Sequence, residues 1–389
     1  MNFDSLNLFT LPTRVYFGYN SINYVGKVVK EFSLNKVLIV TDKGVRSAGV
    51  IDPLTHSLEV LGLAYEVFDD VPEDPGSQVV NDGVELLKQK GCNGVIIIGG
   101  GSPLCAGKGI ALVASNGGSI SNYEGNEKYK VSPLPMIAIP TTAGSGSEVS
   151  PSFIISDESR NNYKMTITGY KCFPNVAILD PLLLRSLPAR QFIISGIDAL
   201  THAIEATCTN QATSLTDAIA YEAIRLMMKN MATAAYTDNL NSKSDQLYAS
   251  TIANIACGNA KLGLVHAMSN PLGSYHIPHG LANGILLPYV MDYNYPVCKY
   301  QYAWIAEVIG ITKPQMNLEE KATAAIDAIK ELFININFPQ CFTEDMVPKA
   351  VIPTMARIAM GRPQIKFNIR KASENDIIQI YERAFHGWN

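Results

Sequence analysis

Between Lys36 and about residue 180, short aliphatic and β-branched runs recur at intervals of helix length, and this alternation limits the possible folds more than any other feature. Lys36-Val-Leu-Ile-Val-Thr41 is followed by a helix-like stretch at 53–62, Tyr65-Glu-Val-Phe68 by another at 77–91, and then comes Val95-Ile-Ile-Ile98. Two more such runs lie at 136–139 and 176–179. Strands that are apolar nearly throughout must be covered on both faces, which predicts a parallel sheet with helices on either side. After Asp180-Pro181 the pattern changes. The stretches 215–235, 245–264 and 318–334 have helical spacing and good helix formers, and Ser373-Glu-Asn-Asp376 reads as a capping box that opens the last helix. The expectation is an α/β domain over residues 1–184 and an all-α domain over 185–389. At 389 residues and 47% apolar content the chain can bury both cores.

Charge and cysteine usage narrow the function. A net charge of −4 without a Lys/Arg-rich run argues against nucleic acid as a partner. No apolar run approaches the roughly 20 residues of a membrane helix, and residues 1–12 lack the pattern of a secretory leader, so a cytoplasmic protein is expected. Seven scattered cysteines without a CxxC pair suggest reduced thiols rather than a disulfide framework or a zinc ribbon.

Two glycine- and hydroxyl-rich turns follow strands directly. Gly99-Gly100-Gly101-Ser102-Pro103 leaves the run at 95–98 and enters a helix-like stretch at 104–113, so its free N–H groups suit a pyrophosphate. The spacing is not GxGxxG, and a bare strand-to-helix connection would use the same residues. Pro140-Thr141-Thr142-Ala-Gly-Ser-Gly-Ser147-Glu148 crowds hydroxyls after the run at 136–139, and so many polar groups near a core call for partners. Asp42 ends the first run, where a carboxylate would bind ribose hydroxyls and favour NAD over NADP, or else cap a helix.

Four of the six histidines lie between 202 and 279. Asp198 and His202 stand four apart on a predicted helix, so both can reach one ion, although such a pair alone is more often a surface ion pair. His266, His276 and His279 supply the further imidazoles that favour a metal. One carboxylate with imidazoles suits Fe²⁺ or Zn²⁺, and an open position on that ion would polarise a carbonyl. His56 and His386 stand alone and carry no expectation. Chemistry is expected from residues of both halves.

Taken in order, the glycine turn, the Thr141–Glu148 motif, Asp198-x3-His202-Ala-Ile-Glu205 and His266…Pro278-His279-Gly280 closely resemble the iron-containing (group III) alcohol dehydrogenases over essentially the whole chain. The resemblance implies an N-terminal dinucleotide-binding domain like that of dehydroquinate synthase, a helical metal domain, and a homodimer or higher homo-oligomer. It implies Asp198, His202, His266 and His279 as metal ligands, usually for Fe²⁺. It implies NAD contacts at Asp42, Gly99, Gly100, Gly101, Ser102, Thr141, Thr142, Ser147 and Lys164.

The chain departs from the family at the substrate. Cys105 stands where many relatives have Asp, Cys257 where they often have an aromatic ring, and Asn270 where they have a histidine; the interval from His266 to His279 is one residue shorter than usual. A larger, less negative pocket would take a polar or anionic aldehyde such as sulfoacetaldehyde, with simple alkanols, lactaldehyde and 1,3-propanediol as alternatives. His276 is close enough in sequence to replace the missing histidine as a proton relay. A dehydroquinate synthase-type cyclase or a non-catalytic multimeric scaffold would share the architecture.

Overall fold

The computed structural model describes residues 7–160 and 162–388. The chain divides into two compact units, Leu11–Leu187 and, with the segment up to Thr10, the residues from Pro188 onward. The apolar pattern alone put the N-terminal segment with the first domain. It groups instead with the helices, because the Thr10 N–H donates to Asn259 Oδ1 at 2.6 Å and the Asn259 amide donates back to the Thr10 carbonyl.

The first unit contains, in chain order, β1 (Arg14–Phe17), α1 (Val25–Glu31), β2 (Lys36–Val40), α2 (Lys43–Ser47), α3 (Asp52–Val60), β3 (Ala64–Phe68), α4 (Ser77–Gln89), β4 (Gly94–Gly99) and α5 (Gly101–Asn116). It continues with β5 (Gly125–Asn126), β6 (Met136–Pro140), β7 (Phe153–Asp157), β8 (Tyr163–Thr168) and β9 (Val176–Leu179). Six strands pair in the order β1-β9-β6-β4-β2-β3, all parallel. Successive residues of a strand point to opposite faces, and both faces are covered. Leu38, Val40, Val95 and Ile97 pack with Val80, Val84 and Ile110 of α4 and α5, whereas Val37, Ile39, Ile96 and Ile98 pack with Val25, Leu54 and Leu58 of α1 and α3.

Apolar runs did not reveal the second sheet, ordered β5-β8-β7, whose β7–β8 pair is antiparallel. Its strand β8 alternates, Tyr163-Lys-Met-Thr-Ile-Thr168, where only Met165 and Ile167 are buried. Such a short, half-polar run resembles loop sequence until a partner strand is present.

The second unit contains α6 (Ala189–Thr207), α7 (Ser214–Tyr236), α8 (Leu240–Ala260), α9 (Leu264–Ser269), α10 (His279–Val308), α11 (Leu318–Asn335), α12 (Ile352–Met360) and α13 (Glu374–Arg383). From Ile197 to Thr207 every residue of α6 is buried, which makes it the central helix, packed by α7, α8 and α10. Close approach of α10 to α6 depends on two glycines one turn apart. A Cβ on Gly280 would lie 2.2 Å from the Ile194 carbonyl oxygen, and one on Gly284 would lie 2.5 Å from Ile197 Cγ2. Pro288 and Pro296 interrupt the hydrogen-bond ladder of α10, which turns non-helical at Cys298. Among the described residues no helix is long and apolar enough to cross a membrane.

Helix starts follow their caps. Thr213 and Thr216 form a capping box on α7, Asn317 and Glu320 on α11, and Ser373 and Asp376 on α13, the last as its sequence predicts. Just inside α7, burial pushes the Asp217 carboxyl up to about 6, and its Oδ1 has no hydrogen-bond partner. An acid whose pKa is raised by folding binds its proton more tightly in the native state, so its contribution falls as pH rises from about 4 through 6. Asp217→Asn is therefore expected to raise stability by about 1–2 kcal/mol at pH 7.5, the helix N-terminus offsetting part of the burial cost, and to change nothing below pH 4. Urea unfolding of both proteins at the two pH values checks this; equal midpoints at pH 7.5 would refute it.

Candidate metal centre

Positions 198, 202 and 205 fall on one face of α6, because a helix returns to the same side after four and seven residues. Asp198, His202 and Glu205 accordingly project together, and all three are buried. The short helix α9 brings His266 against them. Ligand atoms of Asp198, His202 and His266 all lie within 4.8 Å of one another. The rings of His202 and His266 stack with centroids 4.7 Å apart. His279, the first residue of α10, places Nε2 4.0 Å from Asp198 Oδ1 and its ring 5.2 Å from that of His266, with its side chain 47% exposed. The four residues expected to bind metal are thus neighbours in space, three of them buried and the fourth open to solvent.

Two neighbours had no role assigned from sequence, Glu205 standing in the motif and Asn283 outside it. Glu205 Oε2 lies 2.6 Å from His266 Nδ1, and its Oε1 accepts from the Val265 N–H at 2.6 Å. The Asn283 amide, one turn into α10, donates to Asp198 Oδ1 at 2.7 Å and lies 3.1 Å from His266 Nε2. Glu205 could have been flagged by its helix-face spacing from Asp198. Asn283 carries no local signal.

The donor set fits a divalent cation. Burial pushes the His202 imidazole down to about 3, so it is neutral and keeps a lone pair. Burial alone would raise the Asp198 carboxyl, but the surrounding imidazoles and the Asn283 amide hold it below its ordinary value. His202 Nδ1 is buried without a partner, as is Asn283 Oδ1. Buried polar atoms without partners are uncommon in proteins and indicate a missing ligand or water.

Of the remaining expected residues near the metal motifs, Asn270 and Cys257 turn their side chains toward backbone. The Asn270 amide donates to the His266 carbonyl at 2.6 Å, closing α9. The Cys257 thiol points to the Asn254 carbonyl at 3.5 Å and packs among Ala206, Ala220, Ala256 and Ala260, where burial pushes its pKa up. His276 is exposed, with a left-handed backbone (φ 56°), and its N–H donates to the Gly273 carbonyl.

In the α/β unit the two hydroxyl- and glycine-rich turns lie side by side. Gly99 pairs with Pro140 in the sheet and accepts from the Thr141 N–H at 3.0 Å. Gly99 has φ 153°, and a Cβ there would lie 2.6 Å from Pro103. A Cβ on Gly100 would lie 3.3 Å from Thr142, and one on Gly101 3.4 Å from Ser145, so the two turns share a narrow, small-residue surface at the start of α5. Ser102 is half-buried in the first turn of that helix. Lys108, buried in α5 and unmarked by any motif, clamps the second turn. Its Nζ donates to Ser147 Oγ at 2.9 Å, to the Ser150 carbonyl at 2.7 Å and to the Ser152 carbonyl at 3.3 Å, and burial lowers its pKa to about 8.

Asp42 caps α2, accepting from the Val45 N–H at 2.8 Å, so the capping role open from sequence is realised. Lys164 on β8 pairs with Asp74 at 2.8 Å and donates to Ser156 Oγ. Cys105 is half-buried on α5, against the core of this unit, and burial pushes its thiol up.

Comparison with known proteins agrees over the full length. Residues 12–181 match a family model described as iron-containing alcohol dehydrogenase, and residues 192–385 match the Fe-containing alcohol dehydrogenase family, C-terminal. The chain is 37% identical over 381 residues to 1,3-propanediol dehydrogenase of Citrobacter freundii, covering 97% of this chain and 98% of the relative. The fold superposes on a crystal structure of 1,3-propanediol oxidoreductase with a TM-score of 0.95 at 36% identity, over 98% of this chain and 100% of that one. It superposes on sulfoacetaldehyde reductase from Bifidobacterium kashiwanohense in complex with NAD+ with a TM-score of 0.89 at 27% identity, over 98% and 99% of the two chains.

Proposed function

This chain belongs to the iron-containing alcohol dehydrogenase family, an oxidoreductase family, and from that premise we propose that it reduces a short hydroxylated aldehyde with NADH. The observation that carries the catalytic part is the convergence of Asp198, His202 and His266, with His279 beside them, around partnerless buried polar atoms. These four residues would hold the metal, Fe²⁺ before Zn²⁺. Bound there, a divalent cation supplies Lewis-acid polarisation of a carbonyl oxygen, and NADH supplies the hydride.

The chain's own residues bind and orient. Backbone N–H groups at Gly99 to Ser102 and in the Thr141–Ser147 segment hold the pyrophosphate, with Lys108 fixing Ser147 and Lys164, paired with Asp74, as a further cofactor contact. Asp42 accepts from ribose hydroxyls and repels a 2′-phosphate, which selects NAD. Exposed His276 exchanges the proton with solvent, and Asn270, bonded to the His266 carbonyl, steadies the backbone of that ligand.

The substrate class follows from charge as well as similarity. Residues 192–208 and 262–283, which contain the four ligand positions, carry no Lys or Arg. A sulfonate would therefore find no cationic partner in these segments, while a hydroxyl needs only a hydrogen bond. Metal-stripped protein reconstituted with Fe²⁺ under anaerobic conditions should oxidise NADH with 3-hydroxypropionaldehyde at a specificity constant at least about tenfold above that for propanal, with sulfoacetaldehyde between them. A larger constant for sulfoacetaldehyde would move the proposal to anionic aldehydes, and parity with propanal would remove the polar-pocket argument.

A further inference from the structure

We infer that Glu205 is a positioning residue that sets the tautomer of His266, and so decides whether that imidazole can serve as a ligand; this rests on the metal-site reading above. Glu205 has both oxygens committed. Oε1 accepts from the Val265 N–H at 2.6 Å and Oε2 faces Nδ1 of the next residue, His266, at 2.6 Å, both in the first turn of the same short helix. A carboxylate only accepts, so Nδ1 carries the hydrogen and Nε2 keeps the lone pair. The other side of the ring agrees independently. Asn283 must turn its NH2 toward Asp198, whose carboxylate also only accepts, and that same NH2 lies 3.1 Å from His266 Nε2, where a second N–H would clash.

The backbone around Glu205 is built to hold it. Gly263 lets the carboxylate approach the start of α9, since a Cβ there would lie 3.2 Å from Oε1 and 2.8 Å from Asn368 Oδ1. Asn368 Oδ1 takes the neighbouring Leu264 N–H at 3.3 Å, and Asn294 holds Asn368 in turn. Glu205 thus caps α9 with one oxygen and orients the ligand ring with the other. This couples the position of His266 to its protonated nitrogen.

Glutamine and alanine at this position separate the two duties. In Glu205→Gln the amide oxygen keeps the Val265 N–H, so the NH2 is left facing Nδ1 and forces the hydrogen onto Nε2, the nitrogen that faces the metal. In Glu205→Ala the ring is free to choose, while α9 loses its cap. Fe²⁺ dissociation constants of the metal-stripped full-length proteins, measured by anaerobic chelator competition, should rise about 100-fold for Glu205→Gln and about 10-fold for Glu205→Ala. Thermal midpoints of the metal-free proteins should fall in the opposite order, with Gln near wild type and Ala lowest. Affinity loss that follows the stability order, or a Gln variant that binds as tightly as wild type, would overturn the inference. Wild-type protein that fails to bind Fe²⁺ would instead overturn the metal-site reading itself. Nitrogen-15 spectra of the histidine rings in metal-free wild type give a second test that needs no variant: the hydrogen of His266 on Nδ1 is expected, and a hydrogen on Nε2 overturns the assignment.

Discussion

Replacing His266 by Ala is expected to lower kcat by on the order of 10³-fold or more while NADH binds with nearly unchanged affinity. The magnitude follows from removing Lewis-acid assistance worth several kcal/mol, at about 1.4 kcal/mol per tenfold in rate. Selectivity follows from the division of labour, since His266 lies in the helical unit and the two turns proposed to hold the pyrophosphate lie in the α/β unit. The loss should also leave Glu205 Oε2 and the Asn283 amide without their imidazole partner, so added metal should not restore the rate. Steady-state kinetics, metal analysis and fluorescence titration with NADH together test this. Full activity would remove His266 from the ligand set, and a parallel loss of NADH binding would show that the substitution disturbs far more than the metal centre.

A single methyl group at Gly280 is expected to be nearly as damaging. Its carbon would lie 2.2 Å from the Ile194 carbonyl oxygen and 3.1 Å from Asp198 Cβ, so relief requires that α10 move away from α6. Backbone cannot rotate aside as a flexible side chain can, and the cost should exceed about 3 kcal/mol. Asp198 lies on one of these helices and His279 and Asn283 on the other, so the same displacement would open the cluster. Gly280→Ala should therefore lose stability and iron together. Gly258→Ala is the control, because its new methyl meets nothing within 4 Å on an exposed part of α8. It should stabilise by up to about 1 kcal/mol through helix propensity alone. Equal midpoints for the two variants would refute the close-packing argument.

Fold class and the pairing of Asp198 with His202 were legible because that information is local. Apolar runs of four to six residues separated by helix lengths were enough for a parallel sheet, because a strand buried on both faces has no polar alternation to conceal it. Asp198 and His202 were paired by helix geometry before any tertiary contact was known. The antiparallel pair β7–β8 was not legible, since the half-polar β8 gains a buried face only against the rest of the unit.

By itself, then, the sequence determined which residues can share a helix face, where five strands of the parallel sheet and the main helices run, and where glycines free the backbone after β4. Only the tertiary structure decided which atoms serve one another. Glu205 reaches His266 across 61 positions and Asn283 reaches Asp198 across 85, while Lys108 closes on Ser147 across 39. Hydrogen bonds of this kind depend on distances of about 3 Å between helix faces and turns, and those distances are set by packing the whole core rather than by any periodicity along the chain.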